Sequence, residues 1–308
     1  MDTHICQNPT NKVDHSHSSV NSDDIIDSLS DNSLQTTALS SAISDEGNKT
    51  GVDTYNMTDS FSNPFITKRL GFKLCHLNIN RFYSKFDEVK DFILDESNKI
   101  DILGLTETFL HSKINVAYIN ISNFEIIRKD RCNKIGGGLI MYVKSNIIFK
   151  RRPDLEIGDI ETIWIEITPK YRKSFLLCLV YRPLASNLNW YNIFESPLNI
   201  INSSNIPLYI MGDINIDFNV NVPKQWSEIL TINNLHQLVD SPTRCTQNTE
   251  TTIDHLYTNA PDTVIELNVP VYGLSDHYPV IFIIGNDKNV RRHCHLEIEY
   301  RNFKHFNE

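Results

Sequence analysis

Asp213 and Asn215 stand two residues apart in Gly212-Asp213-Ile214-Asn215, where the apolar run over 206–212 gives out. That run reads as a buried strand. Positions two apart in a strand face the same side, so the spacing points both side chains into one site. A carboxylate there can take a proton or orient a water. An amide offers an oxygen and an NH2 that can bind phosphate or hold a nucleophile. Alone, the tetrapeptide reads equally well as a turn, because Gly, Asp and Asn are common turn formers.

Polar groups recur at the ends of other strand-like runs. Asn78 and Asn80, again two apart, close the run over 72–79, and Glu107 lies just past 101–105. Tyr181 ends 175–181, Asp254 lies within 252–257, and Asp276 and His277 precede the run over 280–284. Loops at the ends of a rigid sheet are where catalytic groups concentrate. This set of acids and amides with one His suits an oxygen-loving cation. Mg2+ uses one or two carboxylates, waters and substrate phosphate. The histidines show no His-x3-His spacing and the cysteines no Cys-x-x-Cys pair, so nothing suits a softer metal. No Cys sits in a strand-end motif, which excludes a thiol nucleophile.

Each residue has a plainer role open to it. Glu107 can cap a helix over 108–110, and Tyr181 can be a half-buried strand aromatic. Asp254 and Asp276 can be turn residues or surface partners of Arg244, and His255 is expected to point away from Asp254. Arg128 to Arg131 with Lys134, and Lys150 to Arg152, read equally as DNA-phosphate contacts or solvated turns. The Gly136-Gly137-Gly138 run precedes a strand and lacks Lys-Ser/Thr, so it is no P-loop. Close backbone approach at the start of that strand suffices to explain it.

The elements that must position these groups alternate. Strands are expected over 72–79, 101–105, 139–144, 162–168, 175–181, 206–212, 252–257, 264–269 and 280–284. Helices are expected over 83–97, 188–202 and 225–233. This order, with its strand pairs, indicates α/β with much antiparallel sheet.

Composition is uneven along the 308 residues. Residues 1–60 hold eleven Ser, ten acids and two bases, without Trp or Phe. That composition reads as a disordered Ser/Asn/Asp-rich tail over 1–68, leaving a domain over 69–286 and a linker over 287–308. Of the chain's 38 acids and 29 bases, 28 and 27 lie beyond residue 60, so the net charge of −9 belongs almost wholly to the tail. A near-neutral body with local basic patches does not argue against nucleic acid. The N-terminus lacks a basic region followed by an apolar core, and no apolar run is long enough for a membrane. Cys75 and Cys178 sit in apolar runs, as reduced thiols of an intracellular protein do.

Taken in order, the motifs resemble the endonuclease/exonuclease/phosphatase superfamily, the fold of DNase I and exonuclease III. They are Leu77-Asn78-Ile79-Asn80, Thr106-Glu107-Thr108, Tyr181-Arg182-Pro183, Gly212-Asp213-Ile214-Asn215, Ile253-Asp254-His255 and Ser275-Asp276-His277. Asp130-Arg131 before the glycine run, and Pro242-Thr243-Arg244 before Thr252, resemble more narrowly the apurinic-type endonuclease domain of non-LTR, jockey-like retrotransposons. The resemblance implies a four-layer α/β sandwich: two packed mixed, largely antiparallel sheets flanked by helices. It implies Mg2+, with Mn2+ an alternative, bound by Asn80, Glu107 and Asp276. It implies that Asn78 and Asn215 position phosphate or water, Asp213 deprotonates the water, and Tyr181 binds a phosphate oxygen. His277, held by Asp254, would stabilise the crowded phosphorus centre.

The implied activity is Mg2+-dependent nicking of DNA to leave a 3′-hydroxyl, carried out in the nucleus. A full-length element would supply a reverse-transcriptase domain as partner. No Tyr/Phe-x-Asp-Asp occurs in this chain, which reads as a truncated element. Two departures stand out. Arg81 occupies a position where many relatives have Gly, and Leu184 one where the repair enzymes carry Asn. A phosphatase of the same superfamily is the alternative. It is disfavoured because Thr252-Ile253-Asp254-His255 stands where such relatives carry Pro-x-Trp-x-Asp-Arg. A decayed, non-catalytic fragment is a second alternative.

Overall fold

The apolar runs of the chain become the strands of two sheets. The computed structural model describes residues 71–95, 98–131, 136–170, 173–202 and 206–285. The tail over 1–68, the linker over 287–308 and Lys134 lie outside them. The chain begins with β1 (Phe72–Asn78), α1 (Phe86–Leu94), β2 (Ile102–Thr106), β3 (Phe124–Lys129), β4 (Leu139–Lys144) and β5 (Phe149–Arg151). It continues through β6 (Glu161–Ile167), β7 (Phe175–Tyr181), α2 (Asn189–Ile201), β8 (Leu208–Asp213) and α3 (Lys224–Ile232). It closes with β9 (His236–Gln237), β10 (Arg244–Cys245), β11 (Glu250–Thr251), β12 (Asp254–Thr258), β13 (Val264–Asn268) and β14 (Val280–Ile284).

One six-stranded sheet has the order β13-β14-β1-β2-β4-β3, and the other β5-β6-β7-β8-β12-β9. Only β1–β2 and β7–β8 pair parallel within them. The rest is antiparallel, the mixed arrangement expected. The sheets pack face to face through Leu74, Met141, Ile165, Leu179, Met211 and Leu256 among others. Gly104 lets the sheets come close: a Cβ there would meet the side chains of Met211 and Leu179.

The helices cover the outer faces. Val89, Phe92 and Ile93 of α1 recur at helical spacing and pack on the first sheet. Trp190, Tyr191, Phe194 and Leu198 of α2, with Trp226 and Ile229 of α3, pack on the second. The result is the four-layer sandwich, helix on sheet on sheet on helix. β7 is buried at all seven positions, which is why it reads as an unbroken apolar run.

Five strands were not expected from the sequence, β3, β5, β9, β10 and β11, and two of them carry basic patches. Arg128 and Lys129 close β3, and Lys150 and Arg151 belong to β5, where turns are expected. Both are edge strands, and their charged residues, Lys129 reaching the Ile160 carbonyl and Arg151 reaching Glu156, break the apolar pattern that marks the inner ones.

Candidate active site

Topology brings the polar strand ends to one edge. In the parallel pairs, Asn78 lies opposite Thr106 and Tyr181 opposite Asp213. The antiparallel β12 sets Asp254 opposite Asp213. Antiparallel β14 follows His277 and returns beside β1, with Val280 opposite His76. The exits of β1, β2, β7 and β8 therefore meet the entries of β12 and β14.

Four of these groups are joined across the sandwich. Asn78 Nδ2 donates to Asp213 Oδ2 at 2.8 Å, linking one sheet to the other. Tyr181 Oη donates to Glu107 Oε1 at 2.6 Å, a second link between sheets. Within the second sheet, Asp213 Oδ1 accepts the Asn215 backbone N–H at 2.9 Å, and Asn215 Nδ2 donates to the Arg182 carbonyl at 2.9 Å. His277 Nδ1 bonds Asp254 Oδ2 at 2.7 Å, and both residues are buried. Asn80 is exposed, its backbone N–H donating to Asn78 Oδ1 at 3.1 Å. Asp276 is also exposed and pairs with Arg244 at 2.9 Å.

The backbone here adopts conformations that side chains disfavour. Asn80, Arg81, Glu107 and Asn215 have φ of 44°, 72°, 52° and 52°. Left-handed residues persist only where surrounding contacts over-determine them, and they gather at functional sites. Arg81 takes a φ that glycine adopts freely and other residues disfavour. Gly212 has a different reason. A Cβ on it would run into the Val180 carbonyl, so glycine lets β8 close on β7 just before Asp213.

The loop carrying Glu107 is clamped from both sides. Arg81 N–H donates to the Glu107 carbonyl at 3.0 Å and Phe82 N–H to that of Thr108 at 3.0 Å. Opposite, Thr108 and Phe109 donate to the carbonyls of Gly138 and Gly137. The Gly138 N–H in turn donates to Glu161, which also binds Arg131. Arg131 lies over the Tyr181 ring, 5.6 Å from its centroid. Gly137, at φ 65°, leaves space that a Cβ would take from the Arg131 guanidinium. The glycine run thus cradles an arginine side chain and the Glu107 loop, as close backbone approach requires. Sequence reasoning singled out Arg131 and the glycines but missed Glu161, whose role depends on facing Tyr181 across β6–β7.

Pro242-Thr243-Arg244 has a similar supporting part. Thr243 Oγ1 accepts the Ile253 and Asp254 N–H groups, and its carbonyl accepts that of Tyr278. It ties the strand of Asp254 to the segment of His277.

Charge is finely balanced. Burial, followed by the charge of Asp254, pushes the Asp213 carboxyl up to about 8. Burial opposes ionising Asp254 too, but the adjoining His277 ring outweighs it and holds that carboxyl below its ordinary value. Burial likewise opposes charging His277, yet Asp254 raises the ring to about 9. Near neutrality the buried pair is therefore Asp254 carboxylate with imidazolium, and Asp213 sits at the edge of ionisation. A cation nearby favours its ionised form.

Two sets of groups could hold a cation. Ligand atoms of Asp213, Asp254 and His277 all lie within 4.8 Å of one another. That trio is buried and already hydrogen-bonded to Asn78, to the Asn215 backbone and within itself. Mg2+ keeps several waters, which a buried, bonded trio does not accommodate. Glu107 fits better. It is half-buried, Tyr181 occupies its Oε1, and its Oε2 has no hydrogen bond among the described residues. Its free carboxylate oxygen suits an oxygen-seeking cation, whereas Asn80 is exposed and Asp276 is paired with Arg244.

The plainer roles are resolved one by one. No helix forms over 108–110, so Glu107 caps none there. Tyr181 is buried and bonded. Asp254 is buried with His277, and only Asp276 partners Arg244. His255 faces away from Asp254's partner His277: its Nε2 bonds the Thr252 carbonyl and its Nδ1 the Tyr257 hydroxyl. The basic patches are mostly paired within the protein. Arg128 binds Asp130, Arg131 binds Glu161, Arg151 binds Glu156, and Arg152 binds Asp154 and Glu166. Cys75 and Cys178 are free and buried. No described helix is long and apolar enough to cross a membrane.

Residues 75–277 match the Endonuclease/Exonuclease/phosphatase family. No curated protein sequence matches the chain. Several solved structures share the fold. The endonuclease domain of TRAS1, a telomere-specific non-LTR retrotransposon, is 14% identical at a TM-score of 0.55, over 70% of this chain and 99% of that one. An AP endonuclease from Leishmania major is 14% identical at 0.58, over 70% and 88%. A 3′ phosphatase from Neisseria, bound to a product DNA hairpin, is 17% identical at 0.53, over 69% and 99%.

Proposed function

This chain belongs to the endonuclease/exonuclease/phosphatase family, and from that premise we propose that it is a Mg2+-dependent endonuclease that nicks DNA and leaves a 3′-hydroxyl, as a retrotransposon endonuclease does. One observation carries the reading. The Asn78–Asp213, Tyr181–Glu107 and Asp254–His277 hydrogen bonds gather at one end of the two packed sheets. They support reading Asp213 as a proton acceptor, Glu107 as a cation ligand and His277 as a charged donor toward one phosphate.

Asp213 takes a proton from the attacking water. Asn78 and the Asn215 backbone fix its two oxygens, so its basic lone pair has one direction. The water oxygen bonds to phosphorus as the bond to the 3′-oxygen breaks, in line, and the departing oxygen gains a proton. His277 has its Nδ1 on Asp254, which leaves Nε2–H for a non-bridging phosphate oxygen. Tyr181 Oη, whose one proton lies on Glu107 in the free protein, would bind another by turning that proton from the carboxylate to the phosphate. Asn80, Glu107 and Asp276 would hold the cation, whose chemistry is to neutralise the phosphate and stabilise the leaving oxygen.

The test is the nature of the product. The full chain is incubated with supercoiled plasmid and Mg2+, and nicked product is offered to a DNA polymerase. Extension from the nick is expected, since a 3′-hydroxyl primes synthesis. Intact plasmid alongside release of inorganic phosphate from phosphomonoesters would make the protein a phosphatase instead.

A further inference from the structure

Among the described residues, His76 Nδ1 and Asp254 Oδ1 are buried atoms without a hydrogen-bond partner. They face each other at 3.6 Å, with both side chains fully buried. That separation is longer than a hydrogen bond, and a small rotation of the carboxylate closes it. His76 Nε2 lies 3.3 Å from Thr106 Oγ1. Beyond Asp254, its Oδ2 bonds His277 Nδ1 at 2.7 Å. Thr106, His76, Asp254 and His277 thus form one polar line from β2, through β1, into the second sheet.

We propose that His76 is a positioning residue for the Asp254–His277 pair, its neutral ring carrying the proton on Nδ1, aimed at Asp254 Oδ1, while the Thr106 hydroxyl donates to Nε2. This rests on the reading of Asp254 and His277 as part of the reaction site. The opposite tautomer would turn the ring's lone pair on a buried carboxylate, two like partial charges with no water between them. A doubly protonated ring is disfavoured too, because burial holds His76 down to about 4, against the pull of Asp254. With a donor on each oxygen, the plane of Asp254 is fixed, and through it the ring of His277. The acceptor-only Asp254 carboxylate thereby selects the tautomer, and the Thr106 hydroxyl, able to donate or accept, complements it from the neighbouring strand.

The ring protons report this directly. In uniformly 15N-labelled, metal-free full chain near pH 7, His76 is expected to show a protonated Nδ1 and an unprotonated Nε2. A His76 ring protonated on Nε2 overturns the proposal, whether or not the protein nicks DNA. If instead the tautomer is as expected and no nicking occurs, the line stands and the proposed function fails. In an active protein, His76→Leu should lower kcat roughly tenfold, the loss of one hydrogen bond to a charged group. KM for DNA should stay within about twofold, and the downfield His277 Nδ1 proton should shift or broaden. His76→Asn, which keeps a donor near the Nδ1 position, should restore most of the rate. Unchanged kcat and an unchanged His277 proton in a folded His76→Leu would also overturn it.

Discussion

Asn78 Nδ2 donates to Asp213 Oδ2 at 2.8 Å although the residues come from different sheets, 135 positions apart. The bond fixes a carboxylate that burial and Asp254 have made reluctant to ionise. A folded carboxyl raised to about 8, against an ordinary value near 4, holds its proton while the unfolded chain releases one. Metal-free stability therefore falls as pH rises from about 4 to about 8. Asp213→Asn removes this dependence. Thermal unfolding in EDTA should show the variant gaining on the parent from pH 5 to pH 8, at the expense of activity. A gap that is flat with pH, or that narrows, would contradict the assigned burial of charge.

Tyr181 is expected to act through Glu107 as well as on substrate. Tyr181→Phe removes the 2.6 Å bond and frees the carboxylate to turn. Losing a group that orients a metal ligand weakens metal affinity by about 10–100-fold. A Mg2+ titration of activity should shift to higher concentration by an amount in that range. The same half-saturation point in parent and variant would show that Glu107 does not need the hydroxyl.

Gly137 is where the Glu107 clamp is most easily broken. Alanine there meets both a φ of 65° and the Arg131 guanidinium. The strain alone is of order 1–3 kcal/mol. Chemical denaturation of Gly137→Ala should show a loss of this size, and its activity should fall further than Arg131→Lys. A neutral substitution would mean that the loop yields freely.

How much of this was legible from sequence differs by kind of contact. The strand ends were visible because apolar runs stop at them, so Asn78, Glu107, Asp213 and His277 could be named in advance. Their convergence could be inferred only from the family order, since nothing local to Asn78 announces Asp213. Glu161 escaped for the same reason: it is an ordinary acid until β6 sets it opposite Tyr181. The basic patches looked free because their partners, Glu161, Glu156 and Glu166, lie on other elements or further along the chain. The edge strands β3 and β5 were hidden by the charged residues that interrupt their apolar pattern.

Two of the buried histidines, His76 and His255, make the fold sensitive to acid. Burial lowers His255 to about 4, below its ordinary value near 6.5. A base with a depressed value contributes stability above about pH 6.5 that is lost as pH falls toward 4. His255→Gln keeps a polar group without the titration. Unfolding free energy should drop less steeply between pH 6.5 and 4.5 in this variant than in the parent. Equal slopes would place the acid sensitivity elsewhere.

The direct test of the reaction site is plasmid nicking by the full chain beside Asp213→Asn and His277→Ala. The parent should nick in Mg2+ and stop in EDTA, with each variant slower by about 10²–10⁴-fold, the usual worth of a positioned acid or base. Nicking that persists in EDTA, or that both variants match at the parent's rate, would contradict the assignment of Asp213 and His277 to the chemistry.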